Sequence, residues 1–129
     1  MTEKKESSIR KSVVDNNLKD LVSHHKGVYA AMLSSIDGHF IAKYASDEIQ
    51  NSKLSSMTSS CLALGERIAM ESGQNGCDFV IIQNQNGIIV LKRVGKKLVL
   101  TSMARENINL GMLLSATRKT AEILYDEID

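Results

Sequence analysis

Between Cys77 and Ser102 the chain reverses twice within spans too short for anything but neighbouring antiparallel strands, and that restricts the fold more than any other feature. Cys77-Asp-Phe-Val-Ile-Ile-Gln83, Ile88-Ile-Val-Leu-Lys-Arg-Val94 and Leu98-Val-Leu-Thr-Ser102 are apolar, β-branched runs of the kind that packs on a pleated surface. The reversals at Asn84-Gln-Asn86-Gly87 and Gly95-Lys96-Lys97 supply turn residues. A parallel crossover takes on the order of a dozen residues, so this stretch is expected to be a three-stranded meander.

A second pair of strands precedes it. Val28-Tyr-Ala-Ala-Met-Leu-Ser-Ser35 and Phe40-Ile-Ala-Lys-Tyr-Ala45 flank Ile36-Asp37-Gly38-His39, where Gly38 accepts the positive φ of a hairpin turn. The first of these strands is apolar on both alternations, which predicts a central strand covered on both faces.

Three helical stripes complete the pattern. Ile9, Val13, Val14, Leu18, Leu21 and Val22 form a one-sided stripe ending at Gly27, and residues 1 to 8, rich in Lys, Glu and Ser, read as a frayed tail. Asn51 or Ser52 is placed to cap a helix running to about Ser72, closed by Gly73. Leu110, Leu113, Leu114, Thr117, Ala121, Leu124 and Ile128 form the last stripe, with Asn107 or Asn109 available as its cap. The resulting order, α-β-β-α-β-β-β-α, predicts an α+β fold: one five-stranded antiparallel sheet with helices on both faces, a single domain over residues 9–129.

The middle helix is unusual. At about 100° per residue, Met57, Cys61, Leu64, Gly65 and Ile68 gather on Leu54's side, and Ser56, Ser59, Ala63 and Met70 on the other. No charged residue occurs from Leu54 to Gly65, although a solvated helix ordinarily carries charges on its outer face. The helix is therefore expected to have neighbours on two sides.

Composition excludes several functions. With 16 Lys+Arg against 15 Asp+Glu, the net charge is +1, which gives no surplus of cations for a phosphate-tracking nucleic-acid protein. No run reaches the roughly 18 apolar residues of a membrane span, and the start is too polar for a secretory signal, so a cytoplasmic protein without membrane insertion is expected. Cys61 and Cys77 form no CxxC pair and read as reduced thiols.

Chemistry-bearing patterns are weak. Val90-Leu-Lys-Arg-Val-Gly95-Lys96-Lys97 lacks the first Gly and the hydroxyl of a phosphate-binding loop and leads into a strand. His24 and His25 diverge by about 100° on their helix, which disfavours a shared metal. His39 has no announced partner. Asp37 belongs to its turn, and Asp78 and Glu106 to strand or loop ends. Arg105, between the last strand and the last helix, could reach a phosphoryl group but reads more simply as an ion-paired or solvated residue. Met57, Met70, Met103 and Met112 could form an adaptable surface or fill core gaps. No catalytic, cofactor or metal site is expected.

Several of these segments, taken together, resemble the roadblock family of dynein light chains and its bacterial relatives. They are Leu18-Lys-Asp-Leu21, Gly27-Val28, Ala31-Met-Leu-Ser-Ser-Ile-Asp-Gly38, Gly76-Cys-Asp-Phe-Val-Ile-Ile82, Val94-Gly-Lys-Lys-Leu98 and Asn109-Leu-Gly-Met-Leu-Leu114. The resemblance spans residues 12 to 128 and implies a profilin-like sheet that dimerises through its second helix and third strand. It further implies an accessory protein of a Ras-like small GTPase, acting as activator, adaptor or scaffold, and it fixes no catalytic arginine, so Arg67 and Arg105 stay open. On the helix the candidate contact residues are Ser56, Ser59, Ser60, Ala63, Arg67 and Met70, and on the strand Phe79, Ile81 and Gln83. A homodimeric, non-enzymatic regulator or scaffold of such a GTPase is expected; a structural assembly subunit or small-ligand sensor is the alternative.

Overall fold

The computed structural model describes residues 2–46 and 48–128, with side chains from Arg10 onward except Asp47. Three helices and five strands follow one another as α1 (Thr2–Ser23), β1 (Val28–Ser35), β2 (Phe40–Ala45), α2 (Asn51–Glu71), β3 (Val80–Asn84), β4 (Gly87–Val94), β5 (Leu98–Arg105) and α3 (Leu110–Ile128). The strands form one antiparallel sheet in the order β2-β1-β5-β4-β3. The expected element order and fold class are those observed.

The helices divide between the faces. α1 and α3 pack on each other and on one face, where Leu18, Leu21, Leu33, Val90, Leu100, Leu113 and Leu124 close the main apolar core. Among the described residues α2 is the one helix on the other face. As its two apolar alternations predict, β1 lies inside the sheet, with Ala30, Ala31, Met32 and Leu33 inaccessible to solvent.

At the helix starts α1 is longer than its apolar stripe, the cap expected for α2 is corrected, and one of the two caps offered for α3 is found. Of the segment read as a tail, Met1 lies outside the described residues, and the backbone from Thr2 onward is helical. Apolar periodicity marks only the part of a helix that needs burial, whereas the Glu and Lys residues before Ile9 are strong helix formers without it. α2 begins after Gln50, which makes no side-chain cap, so neither Asn51 nor Ser52 caps it. At α3 the choice falls on Asn109, whose Oδ1 accepts from the Met112 amide at 2.9 Å. Asn107 instead takes a left-handed turn at φ 71°.

Candidate functional site

α2 meets the sheet along a line between the two stripes that its sequence displays, taking only Ser59 from them. Its buried residues are Ser55, Thr58, Ser59 and Leu62, a direction about a quarter turn from both stripes. On the face beneath, Met32, Val99 and Met103 lie beside Ala30, Ser34 and Thr101 on one alternation of β1 and β5, and Ser55 Oγ sits 3.7 Å from Met32 Sδ. Ser59 Oγ donates to the Ser35 carbonyl at 2.7 Å, and Ser55 Oγ donates to the Asn51 carbonyl at 2.7 Å. Near the far end, a Cβ on Gly65 would lie 2.8 Å from Val80 Cγ2, so the missing side chain is what lets helix and strand approach.

The apolar stripe of α2 consequently faces outward. Met57, Leu64 and Ile68 are 58, 60 and 58% exposed, and Met70, from the other stripe, is 67% exposed. An ordinary surface helix turns such residues to the core and its hydroxyls to water; α2 does the reverse.

Ion pairs hold this end of the molecule in place. Glu66 on α2 accepts from Arg93 Nε and Nη2 on β4 at 2.7 and 2.9 Å, a bidentate, half-buried clamp. Asp78, just before β3, accepts from Arg118 Nη2 and Nη1 on α3 at 2.6 and 3.0 Å and from Lys92 Nζ on β4 at 2.8 Å. These hydrogen bonds, that of Arg118 first, hold the Asp78 carboxyl down at about 2. Both cations also lie over the Phe79 ring. Burial, then the charges of Glu66 and Asp78, push the Cys77 thiol up; a raised thiol pKa opposes nucleophilic reactivity. Cys61 and Cys77 are both free thiols.

β3, thus anchored, is an edge strand with one side of its backbone unpaired. Its registry with β4 is regular from Val80 to Asn84, and no Lys, Pro or bulge interrupts it. β2, the opposite edge, has both a register slip opposite Leu33 and Ser34 and a lysine, Lys43. Bulges and lysines are the devices that keep edge strands from pairing. One edge is guarded and the other open.

The candidate contact residues fall into three groups. Ser56, Ser60, Ala63, Arg67 and Met70 are exposed on α2. Ser59 is corrected: at 4% exposure it sits under the helix against β1 and is not on the exterior. Phe79, Ile81 and Gln83 lie toward the α1 and α3 face. Phe79 packs on that core, and Ile81 and Gln83 stand opposite the core residues Val90 and Ile88. The side chains that share α2's face are Val80 and Ile82, opposite Leu91 and Ile89. Met57, Leu64, Ile68 and Ile82 are absent from the set expected from sequence, and the charge-free span is the signal that could have included the first two.

The other singled-out groups have ordinary surroundings. Arg105 stacks on the Tyr29 ring at 4.0 Å, and Arg67 lies 4.0 Å from Glu71, both well exposed. His24 Nε2 lies 4.0 Å from Asp20, His25 Nδ1 contacts the Leu21 carbonyl at 2.9 Å, and the His39 amide donates to Ser35 Oγ. Val90 to Lys97 is strand and turn and leads into β5, without a helix to receive a phosphate. No described helix is long and apolar enough to cross a membrane.

An antiparallel five-stranded sheet with two helices on one face and a single, inverted helix on the other defines a profilin-like α+β protein. The chain belongs to the Roadblock/LC7 domain family, whose model matches residues 14–104. Among solved structures it is similar to the gliding protein MglB of Thermus thermophilus, with a TM-score of 0.83, 14% identity and coverage of 92% of this chain and 90% of that one. Myxococcus xanthus MglB gives 0.75 at 20% identity, covering 91 and 92%. Profilin II of Acanthamoeba castellanii gives 0.63 at 14% identity, covering 88 and 97%. At these identities the likeness establishes the fold. No curated protein matches the sequence.

Proposed function

We propose that the protein is a non-enzymatic homodimeric regulator or scaffold of a small Ras-like GTPase. The observation that carries this reading is the inverted α2, with Met57, Leu64 and Ile68 turned outward, beside the unguarded edge of β3. An apolar helix face and an open strand edge each invite association, and a second copy satisfies both through one two-fold contact, β3 against β3 and α2 against α2. The roadblock resemblance supplies the class of partner, a Ras-like GTPase, and the cytoplasm as the compartment where both would meet. Any acceleration of hydrolysis would act by ordering the partner's own catalytic arrangement.

The test is a titration of the purified protein with the Ras-like GTPase of the same genome, loaded in turn with GTP and GDP. Saturable binding that differs between the two nucleotide states supports the reading. Failure to bind either form removes the GTPase and leaves an assembly subunit.

A further inference from the structure

On the side of the sheet away from α2, a groove of about 270 Å³ opens between the first half of α1 and the end of α3. Buried Leu33 and Ala42 form its floor, and Ile41, Leu98 and Ile128 wall it. The register slip between β1 and β2 pairs Leu33 with Ala42 and Ser34 with Phe40, leaving Ile41 as the extra residue. A bulge re-aims a side chain: Ile41, 45% exposed, joins Ala42 on the groove instead of alternating away from it. The same bulge that guards the β2 edge thus builds a wall. The charged side chains on the lining are Arg10 and Lys11 of α1, and among the described residues no carboxylate lines the groove.

We propose that this groove binds a medium-chain fatty carboxylate, with its hydrocarbon chain against Ile41, Leu98 and Ile128 and its carboxylate at Arg10 and Lys11. The apolar floor offers nothing to a polar ligand, while the two cations complement one anionic end, Arg through a fork that matches a carboxylate. An apolar cavity of about 150 Å³ accommodates a benzene ring, so on that scale this groove admits about ten carbons. The site lies on the opposite face from α2 and stands independently of the self-association and GTPase readings.

The test titrates the full-length protein with hexanoate, octanoate and decanoate below their micelle-forming concentrations, read by calorimetry and by methyl NMR shifts. Affinity is expected to rise about fourfold per methylene up to about ten carbons and then level off, with shifts concentrated on Ile41, Leu98 and Ile128. The double variant Arg10→Glu/Lys11→Glu, altered on an exposed stretch of helix, should weaken decanoate about tenfold with unchanged circular dichroism. Decanol should bind the wild type as weakly as decanoate binds the variant. No saturation, an affinity indifferent to chain length or to the double substitution, or shifts centred on Met57, Leu64 and Ile68 would each overturn the proposal.

Discussion

The inverted packing of α2 makes opposite demands of two leucines two residues apart. Leu62 is inaccessible to solvent and is the apolar residue among those α2 buries, whereas Leu64 is 60% exposed. Replacing Leu62 by Ala removes three carbons from a packed site and leaves a cavity, at about 3–5 kcal/mol. The same change at Leu64 removes three carbons that the protomer covers by two-fifths; at about 0.8 kcal/mol per carbon the protomer loses about 1 kcal/mol. The uncovered remainder is about 1.4 kcal/mol per copy, or about 3 kcal/mol across a two-fold contact, a loss of about 100-fold in association constant. Urea denaturation at several protein concentrations, with sedimentation in parallel, separates the two. Leu62→Ala should lower stability at every concentration, whereas Leu64→Ala should stay within about 1 kcal/mol of wild type in the dilute limit and fall further behind as wild type gains stability from self-association. Equal, concentration-independent losses at both positions would refute the inverted orientation of the helix.

Three other perturbations follow from the same geometry. Ala63→Arg places charge and volume on the exposed side of α2 and should weaken self-association by about 1–3 kcal/mol, measured by sedimentation, with the urea midpoint of the dilute protein unchanged. Gly65→Ala drives a methyl into Val80, 2.8 Å from its Cγ2, and should cost about 1–3 kcal/mol; combining it with Val80→Ala should recover part of that loss in the same denaturation assay. The Asp78 carboxyl, held down at about 2 by Arg118 and Lys92, ionises more readily folded than unfolded, so its contribution is present above the ordinary carboxylate range and lost as pH falls from about 4 to 2. Because the pair is well exposed, Asp78→Asn should cost no more than about 1 kcal/mol at neutral pH, and the gap to wild type in pH-dependent denaturation should close over that interval.

Much of the fold is legible in the sequence because it is local. The turns at Gly38, Asn84 to Gly87 and Gly95 to Lys97 lie between alternating apolar runs, and short reversals leave no topology but antiparallel neighbours. What periodicity does not reveal is which stripe of a two-sided helix finds the sheet. On α2 that depends on residues of another element, Met32, which meets Ser55, and Ser35, whose carbonyl accepts from Ser59. Ser59, grouped by sequence with the outward residues, turns inward for that reason. The candidates on β3 are placed in a related way: Phe79, Ile81 and Gln83 share one alternation, and the registry with β4 puts that alternation on the face away from α2. The anchoring of Asp78 by Arg118, 40 residues further on, has no local sign at all. The uncharged span does announce a helix without an ordinary solvated face, and the exposed Met57 and Leu64 are the part of that signal the structure preserves.

Sedimentation equilibrium of the unmodified protein at micromolar concentration bears most directly on whether α2 and the β3 edge are covered by a second copy. The account predicts a particle of twice the 14.2 kDa chain mass, reverting toward one chain when Leu64 is changed to Lys. A wild-type particle that stays at 14.2 kDa across that range would contradict it.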